Sequence, residues 1–173
     1  MSRKSATFAV RKKGYINKTI YMRSRTAEWF ECKIRYAKTA EDGSTKRVTE
    51  LYAVDALSFT EAEQRITEEM SAYISGEFEV ADIKKAAYKE VFFADSDSAD
   101  RWYKARLQFI TIDEKTDKEK RATATYLVNA GSLPTAVRGV DELMSGTATD
   151  YATVSVAETQ IMDVYEYRKE EEE

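Results

Sequence analysis

From Trp29 to Tyr36 the chain alternates. Phe30, Cys32, Ile34 and Tyr36 fall on one side, and Trp29, Glu31, Lys33 and Arg35 on the other. A period of two is that of a half-buried β-strand. Glu41-Asp42-Gly43-Ser44-Thr45 follows, and its Asp-Gly pair predicts a hairpin turn. Residues 46–55, rich in Val, Thr and Tyr, predict the second strand. The period then changes. Ser58-Phe59-Thr60-Glu61 is a capping box, in which serine and glutamate satisfy each other's backbone N–H groups at a helix start. Ala62, Ile66 and Met70 recur at helical spacing and predict the buried stripe of that helix. Residues 78–93 read as one long third strand.

The same pattern then returns. Trp29–Tyr36 aligns with Trp102–Phe109 at an offset of 73 residues, and Lys46-Arg47-Val48-Thr49 with Lys120-Arg121-Ala122-Thr123 at 74. Tyr52–Ala56 matches Tyr126–Ala130, and Ser58, Ala62, Ile66 and Met70 match Ser132, Ala136, Val140 and Met144. Ser132 caps the second helix, and Pro134 sits in its first turn, where a missing N–H costs little. Residues 151–167 read as the second long third strand. The prediction is an α+β fold built from tandem duplicated strand-strand-helix-strand units. Paired by a pseudo-two-fold, they would form one antiparallel sheet with both helices on one face, leaving the other face open to bind. The expected organisation is a basic arm (1–27), a first repeat (28–93), a polar linker (94–100), a second repeat (101–167) and an acidic tail (168–173), all in one compact domain.

Composition narrows the chemistry. Of 173 residues none is histidine and one, Cys32, is cysteine, which removes histidine-based triads, histidine–metal sites and disulfides within the chain. The six glycines are scattered, so no phosphate-cradling loop is present. Asp55, Glu61 and Glu63 lie close together, but their spacing fits helix capping and a solvated helix face as well as an acid–base pair. Cys32 alternates with core positions and reads as a buried, inert thiol. These features point away from an enzyme, and no cofactor or metal is implied. No apolar run approaches membrane-spanning length, and the first residues lack the apolar core of a signal peptide, so a cytoplasmic protein is expected.

Charge is uneven. Residues 1–27 hold eight cations and no acid, the remainder is formally −12, and the whole chain is −4. A basic arm and an acidic tail, Glu170–Glu173, suggest nucleic-acid contact by the one and screening or recruitment of a protein partner by the other. The rival reading makes both of them solubility tails. The arm also holds Phe8, Val10, Tyr15, Ile16, Ile20 and Tyr21, so part of it is expected to pack as an extra strand or to order on a partner. Met22 is an alternative start that would leave the arm outside the working unit.

On the predicted open face, Trp29 lies beside Lys33 and Arg35, and Trp102 beside Lys104 and Arg106. Lys46, Arg47, Lys120 and Arg121 begin the adjacent strands, with Lys84, Lys85 and Lys89 as further candidates. Basic grooves carrying aromatic rings bind single-stranded nucleic acid, each stacked base contributing about 1–3 kcal/mol. Trp29 and Trp102 would stack bases, while the cations contact phosphates. The competing structural reading makes the tryptophans rim residues of the core and pairs the cations with Glu31, Glu50 and Asp55 across strands.

Three runs, Trp29–Tyr36, Ala53–Glu63 and Ile74-Ser75-Gly76-Glu77-Phe78, resemble an uncharacterised family of gut Bacteroidetes and their phages, including crAss-like phages, catalogued as a domain of unknown function. The resemblance runs from about Trp29 to Tyr165. It implies a bacterial or phage origin, a cytoplasmic protein and a place among phage replication genes, and it supplies no catalytic residue. The arm before Trp29 departs from the family pattern. The expected function is non-enzymatic binding of single-stranded DNA or RNA in replication or recombination. The alternative is a protein-interaction module, a host-takeover, anti-defence or assembly adaptor using the same face, with a virion component as a third reading. Exposed edge strands leave room for a homodimer.

Overall fold

A computed structural model describes residues 20–24 and 28–167. It is a mixed α+β fold with two sheets and two helices, most of it strand. The chain divides into two compact units, neither of them continuous in sequence. Among the described residues one unit holds 28–87 and 160–167, and the other holds 20–24 and 88–159.

In the first unit, β2 (Trp29–Thr39) and β3 (Thr45–Asp55) form the predicted hairpin. Gly43 closes its turn at φ +81, a conformation open to glycine without steric cost. The helix α1 (Phe59–Tyr73) follows, then β4 (Phe78–Ala86). The strand order is β4-β2-β3-β9, with β9 (Ile161–Tyr165) parallel to β3 and the other pairs antiparallel. The serine half of the capping box forms as expected, while the glutamate reaches one residue further back, to the N–H before the cap. Ser58 Oγ accepts from the Glu61 N–H (3.1 Å), and the Glu61 carboxylate accepts from the Leu57 N–H (3.2 Å). Ala62, Ile66 and Met70 are buried against Phe30, Cys32, Ile34, Tyr52 and Val54. Burying each larger side chain of that stripe contributes about 1.5–3 kcal/mol.

The second unit has β1 (Tyr21–Arg23), β5 (Tyr88–Ala94), β6 (Arg101–Asp113), β7 (Lys118–Ala130), α2 (Leu133–Met144) and β8 (Asp150–Glu158). Its strand order is β1-β5-β7-β6-β8, with β5 parallel to β7. Ser132 Oγ accepts from the Thr135 N–H at 3.4 Å, and Val140 and Met144 pack on Ala105, Leu107, Tyr126 and Val128. Gly139 lets the Tyr21 ring approach closely, since a Cβ there would overlap its hydroxyl and lie 2.8 Å from its Cζ, so a larger residue would push the ring aside. Tyr21 thereby packs β1 against α2. This is the extra strand expected of the arm, paired with β5 from Tyr21↔Ala94 to Arg23↔Phe92. Residues 1–19 and 25–27 and the Glu170–Glu173 tail lie outside the described residues.

Three expectations are corrected. There are two sheets rather than one, and both are mixed. The stretch 78–93 is two strands, broken at Ala87, and 151–167 is likewise two, broken at Thr159-Gln160. The first piece of each pairs within its own repeat, on β2 or β6, while the second joins the sheet built by the other repeat. The repeat boundaries therefore do not bound the compact units. The polar stretch 94–100 connects β5 to β6 inside the second unit and links no two domains. Strand propensity is similar on both sides of each break, and hydrogen bonding between strands is a backbone property, so side-chain pattern does not name the pairing partner.

Candidate nucleic-acid interface

Burial settles the orientation of the two tryptophans. Trp29 is 0% and Trp102 5% exposed. Each lies at the start of its strand, at the end of the sheet where neighbouring positions are also covered. Ala53 is buried beside Trp29, and Phe93 meets the Trp102 ring edge-on at 5.4 Å. Neither indole can offer a face to a base, so the predicted stacking platform is absent. On the sheet faces opposite the helices, Lys33, Arg35, Arg47 and Arg106 are exposed, further along the strands than the tryptophans.

The hairpin register sorts the cations. Lys33↔Leu51, Arg35↔Thr49 and Ala37↔Arg47 place Lys33, Arg35 and Arg47 on the face opposite α1. Lys46 pairs with Lys38 and belongs to the other face. In the second unit Lys104, Arg106 and Arg121 share the face opposite α2, whereas Lys120 lies on the α2 side. The closest gathering is in the first unit. Arg35 Nη1 and Arg47 Nη2 both approach Glu79 Oε2, at 3.7 and 3.5 Å. They stand in a shallow groove of about 490 Å³, lined also by Tyr36, Phe78 and Glu77. All three charged side chains are well exposed, and such ion pairs contribute only about 0–1 kcal/mol. A phosphate can therefore compete with Glu79, since a guanidinium binds phosphate through two parallel hydrogen bonds.

The remaining predicted cations are dispersed. Lys104 is half-buried, its Nζ 5.5 Å over the Tyr88 ring. Arg121 pairs with Glu119 at 2.6 Å. Lys120 pairs with Asp113 at 3.2 Å. The Lys115 N–H and that ammonium hold the Asp113 carboxyl below its ordinary range. Lys85 pairs with Glu28 at 3.2 Å, and Lys89 lies 5.3 Å over the Phe109 ring.

Two of the proposed acidic partners do something else. Glu50 sits on the α1 side and accepts from the hydroxyls of Tyr36 (2.8 Å) and Tyr52 (2.6 Å). Burial, then the bond to Glu50, pushes both phenols well above their usual range. Asp55 is buried and accepts from Arg65 of α1 and from the Tyr167 N–H (2.8 Å). The sequence reading missed both networks. The available signal was a carboxylate at position 50, in phase with the apolar Val48, Tyr52 and Val54 on one strand face.

The arrangement offers cations, not a nucleophile. Burial, reinforced by Asp82 and Glu31, pushes the Cys32 thiol up to about 12. At pH 8 its thiolate fraction is then on the order of 10⁻⁴. Iodoacetamide at pH 8 should leave the native protein unmodified and add one adduct in denaturant, as read by intact mass. Fast labelling of the native chain would mean that the thiol is exposed. Among the described residues no group of three or more acidic or cysteine side chains is placed to hold a metal ion, and no helix is long and apolar enough to cross a membrane.

Among known proteins, a family model described as Domain of unknown function (DUF4494) matches residues 28–167. No curated protein matches the chain, and no solved structure does.

Proposed function

The chain belongs to that family of unknown function, DUF4494, and we propose that within it this protein is a non-enzymatic module that contacts single-stranded nucleic acid in bacterial or phage replication or recombination. The observation that carries this reading is the convergence of Arg35 and Arg47 on a single exposed carboxylate in an open groove, with Lys33 one step further along the same strand face. Affinity would come from phosphate contacts, because both tryptophans are buried. Residues 28–167 carry 17 cations against 27 acids, so attraction is confined to that groove and to the eight cations of residues 1–27. Binding of this kind falls steeply with salt.

The test is fluorescence anisotropy of a labelled single-stranded oligonucleotide titrated at several salt concentrations. Binding is expected at low salt, without tryptophan quenching. Arg35→Glu/Arg47→Glu should weaken it at least about ten-fold, equivalent to 1.4 kcal/mol. Absence of binding at low salt overturns the proposal and favours the second reading, a protein-interaction module, which the net −10 of residues 28–167 supports.

The two units are further inferred to descend from a duplication. Each edge strand carries a bulge at a corresponding place, Ala81 of β4 opposite Lys33/Ile34 and Val154 of β8 opposite Arg106/Leu107, 73 residues apart. The capping serines 58 and 132 lie 74 apart.

A further inference from the structure

The two corresponding edge strands share a bulge, at Ala81 and Val154, but differ in charge. β4 carries Glu79, Asp82, Lys84 and Lys85 among its nine residues, the charges by which natural sheets discourage pairing with another chain. β8 is also nine residues long and also an edge, but its interior, Tyr151-Ala152-Thr153-Val154-Ser155-Val156-Ala157, has no charge, no proline and no glycine. Most of these side chains are exposed, Val154 to 50%. Acids close the strand at both ends, Asp150 and Glu158. Among the described residues no strand pairs with its outer side. An unpaired backbone edge with β-branched side chains is a template for an added strand.

The acidic ends select the occupant. A second β8 laid antiparallel about Val154 would set Asp150 against Glu158, and like charges placed opposite one another oppose pairing. A complementary strand needs an uncharged, β-prone interior with a cation at each end. The chain contains that pattern in residues 3–13, which lie outside the described residues: Arg3-Lys4, then Ser5-Ala6-Thr7-Phe8-Ala9-Val10, then Arg11-Lys12-Lys13. In an antiparallel register with Thr7 opposite Val154, Arg3 meets Glu158 and Arg11 meets Asp150. We propose that residues 3–13 of a second copy add to the outer edge of β8, and that reciprocal exchange makes the protein a two-fold dimer.

For antiparallel pairing, geometry favours a second copy over the chain's own arm. Arg23, Phe92, Val128, Tyr103 and Glu158 lie in one row across the second unit's sheet, so β1 and the Glu158 end of β8 are separated by four strand spacings, about 19 Å. Antiparallel pairing puts Lys13 at the Asp150 end of β8. That end is a further seven or so residues along the strand, more than about 30 Å from Tyr21. The eight residue steps from Lys13 to Tyr21 reach at most about 29 Å.

The experiment mixes two full-length variants, Thr7→Cys and Val154→Cys, under mild oxidation and reads the products by non-reducing electrophoresis. Light scattering measures mass against concentration for the unmodified chain. A disulfide-linked heterodimer from the mixture and a concentration-dependent dimer are expected. Deletion of residues 2–13, or Val154→Lys, should each weaken the dimer at least about ten-fold while circular dichroism stays native, since Val154 is half exposed. If Val154→Lys does not fold, the deletion carries the test. A monomer at every concentration overturns the proposal, as does a dimer indifferent to the deletion. In a further variant carrying both Thr7→Cys and Val154→Cys, a disulfide formed only within one chain overturns it in favour of the chain's own arm. The effect of Arg35→Glu/Arg47→Glu on the titration reads the groove, and light scattering reads the β8 edge, so either proposal can fail alone.

Discussion

Alanine at both Trp29 and Trp102 is expected to unfold the protein. The two indoles are among its largest buried side chains, and truncating such a residue costs about 3–5 kcal/mol in lost contacts and residual cavity. Two such losses approach the whole stability of an ordinary domain, about 5–15 kcal/mol. Each single variant should show a clearly lower urea midpoint by circular dichroism, and the double variant should lose its cooperative transition. Trp29→Phe should be milder, because it keeps most of the volume and removes an indole N–H that has no acceptor among the described residues. If the double variant keeps the parental midpoint but loses oligonucleotide binding, the tryptophans are exposed ligand contacts after all.

The second large effect concerns Arg65. Its guanidinium holds the buried Asp55 carboxylate and lies 5.2 Å over the Tyr167 ring, while Asp55 also takes the Tyr167 N–H. This cluster ties α1, the end of β3 and the segment after β9 together. Arg65→Met keeps much of the side-chain volume but strands a buried charge, for which a loss of about 3–5 kcal/mol is expected. Adding Asp55→Asn should restore part of that loss. Asn129, which aligns with Asp55 in sequence, shows a neutral amide buried at such a strand end, donating to the carbonyls of Ala99 (3.0 Å) and Arg101 (2.9 Å). A double-mutant cycle in urea measures the coupling. Strictly additive losses would mean that Arg65 acts through packing alone.

Much of the local structure could be read from residue order. The hairpin at Gly43, the caps at Ser58 and Ser132, the stripes of both helices and the burial of Cys32 follow from short-range rules of side-chain period, turn chemistry and alternation with apolar neighbours. The candidate site was legible only in part. Arg35 and Arg47 were named for their charge, but their meeting at Glu79 depends on β4 lying beside β2, a contact 32 residues apart for Arg47. Lys46 and Lys120 were grouped with them by sequence adjacency, and the pleat turns both to the other face.

Period alone identified the two hairpins, the two helices and the side of each hairpin that faces a helix, because those depend on neighbours within a few residues. It could not decide where a strand's far side is covered. Trp29 and Lys33 share one face of β2 by alternation, yet one is buried and the other exposed. Nor could it show that single-residue breaks such as Ala87 send the next strand to a different sheet. A strand's edge pairs through N–H and C=O groups that every residue carries, so its partner is chosen by the packing of the whole chain. That choice, made only in the tertiary structure, buried the tryptophans and left β8 open.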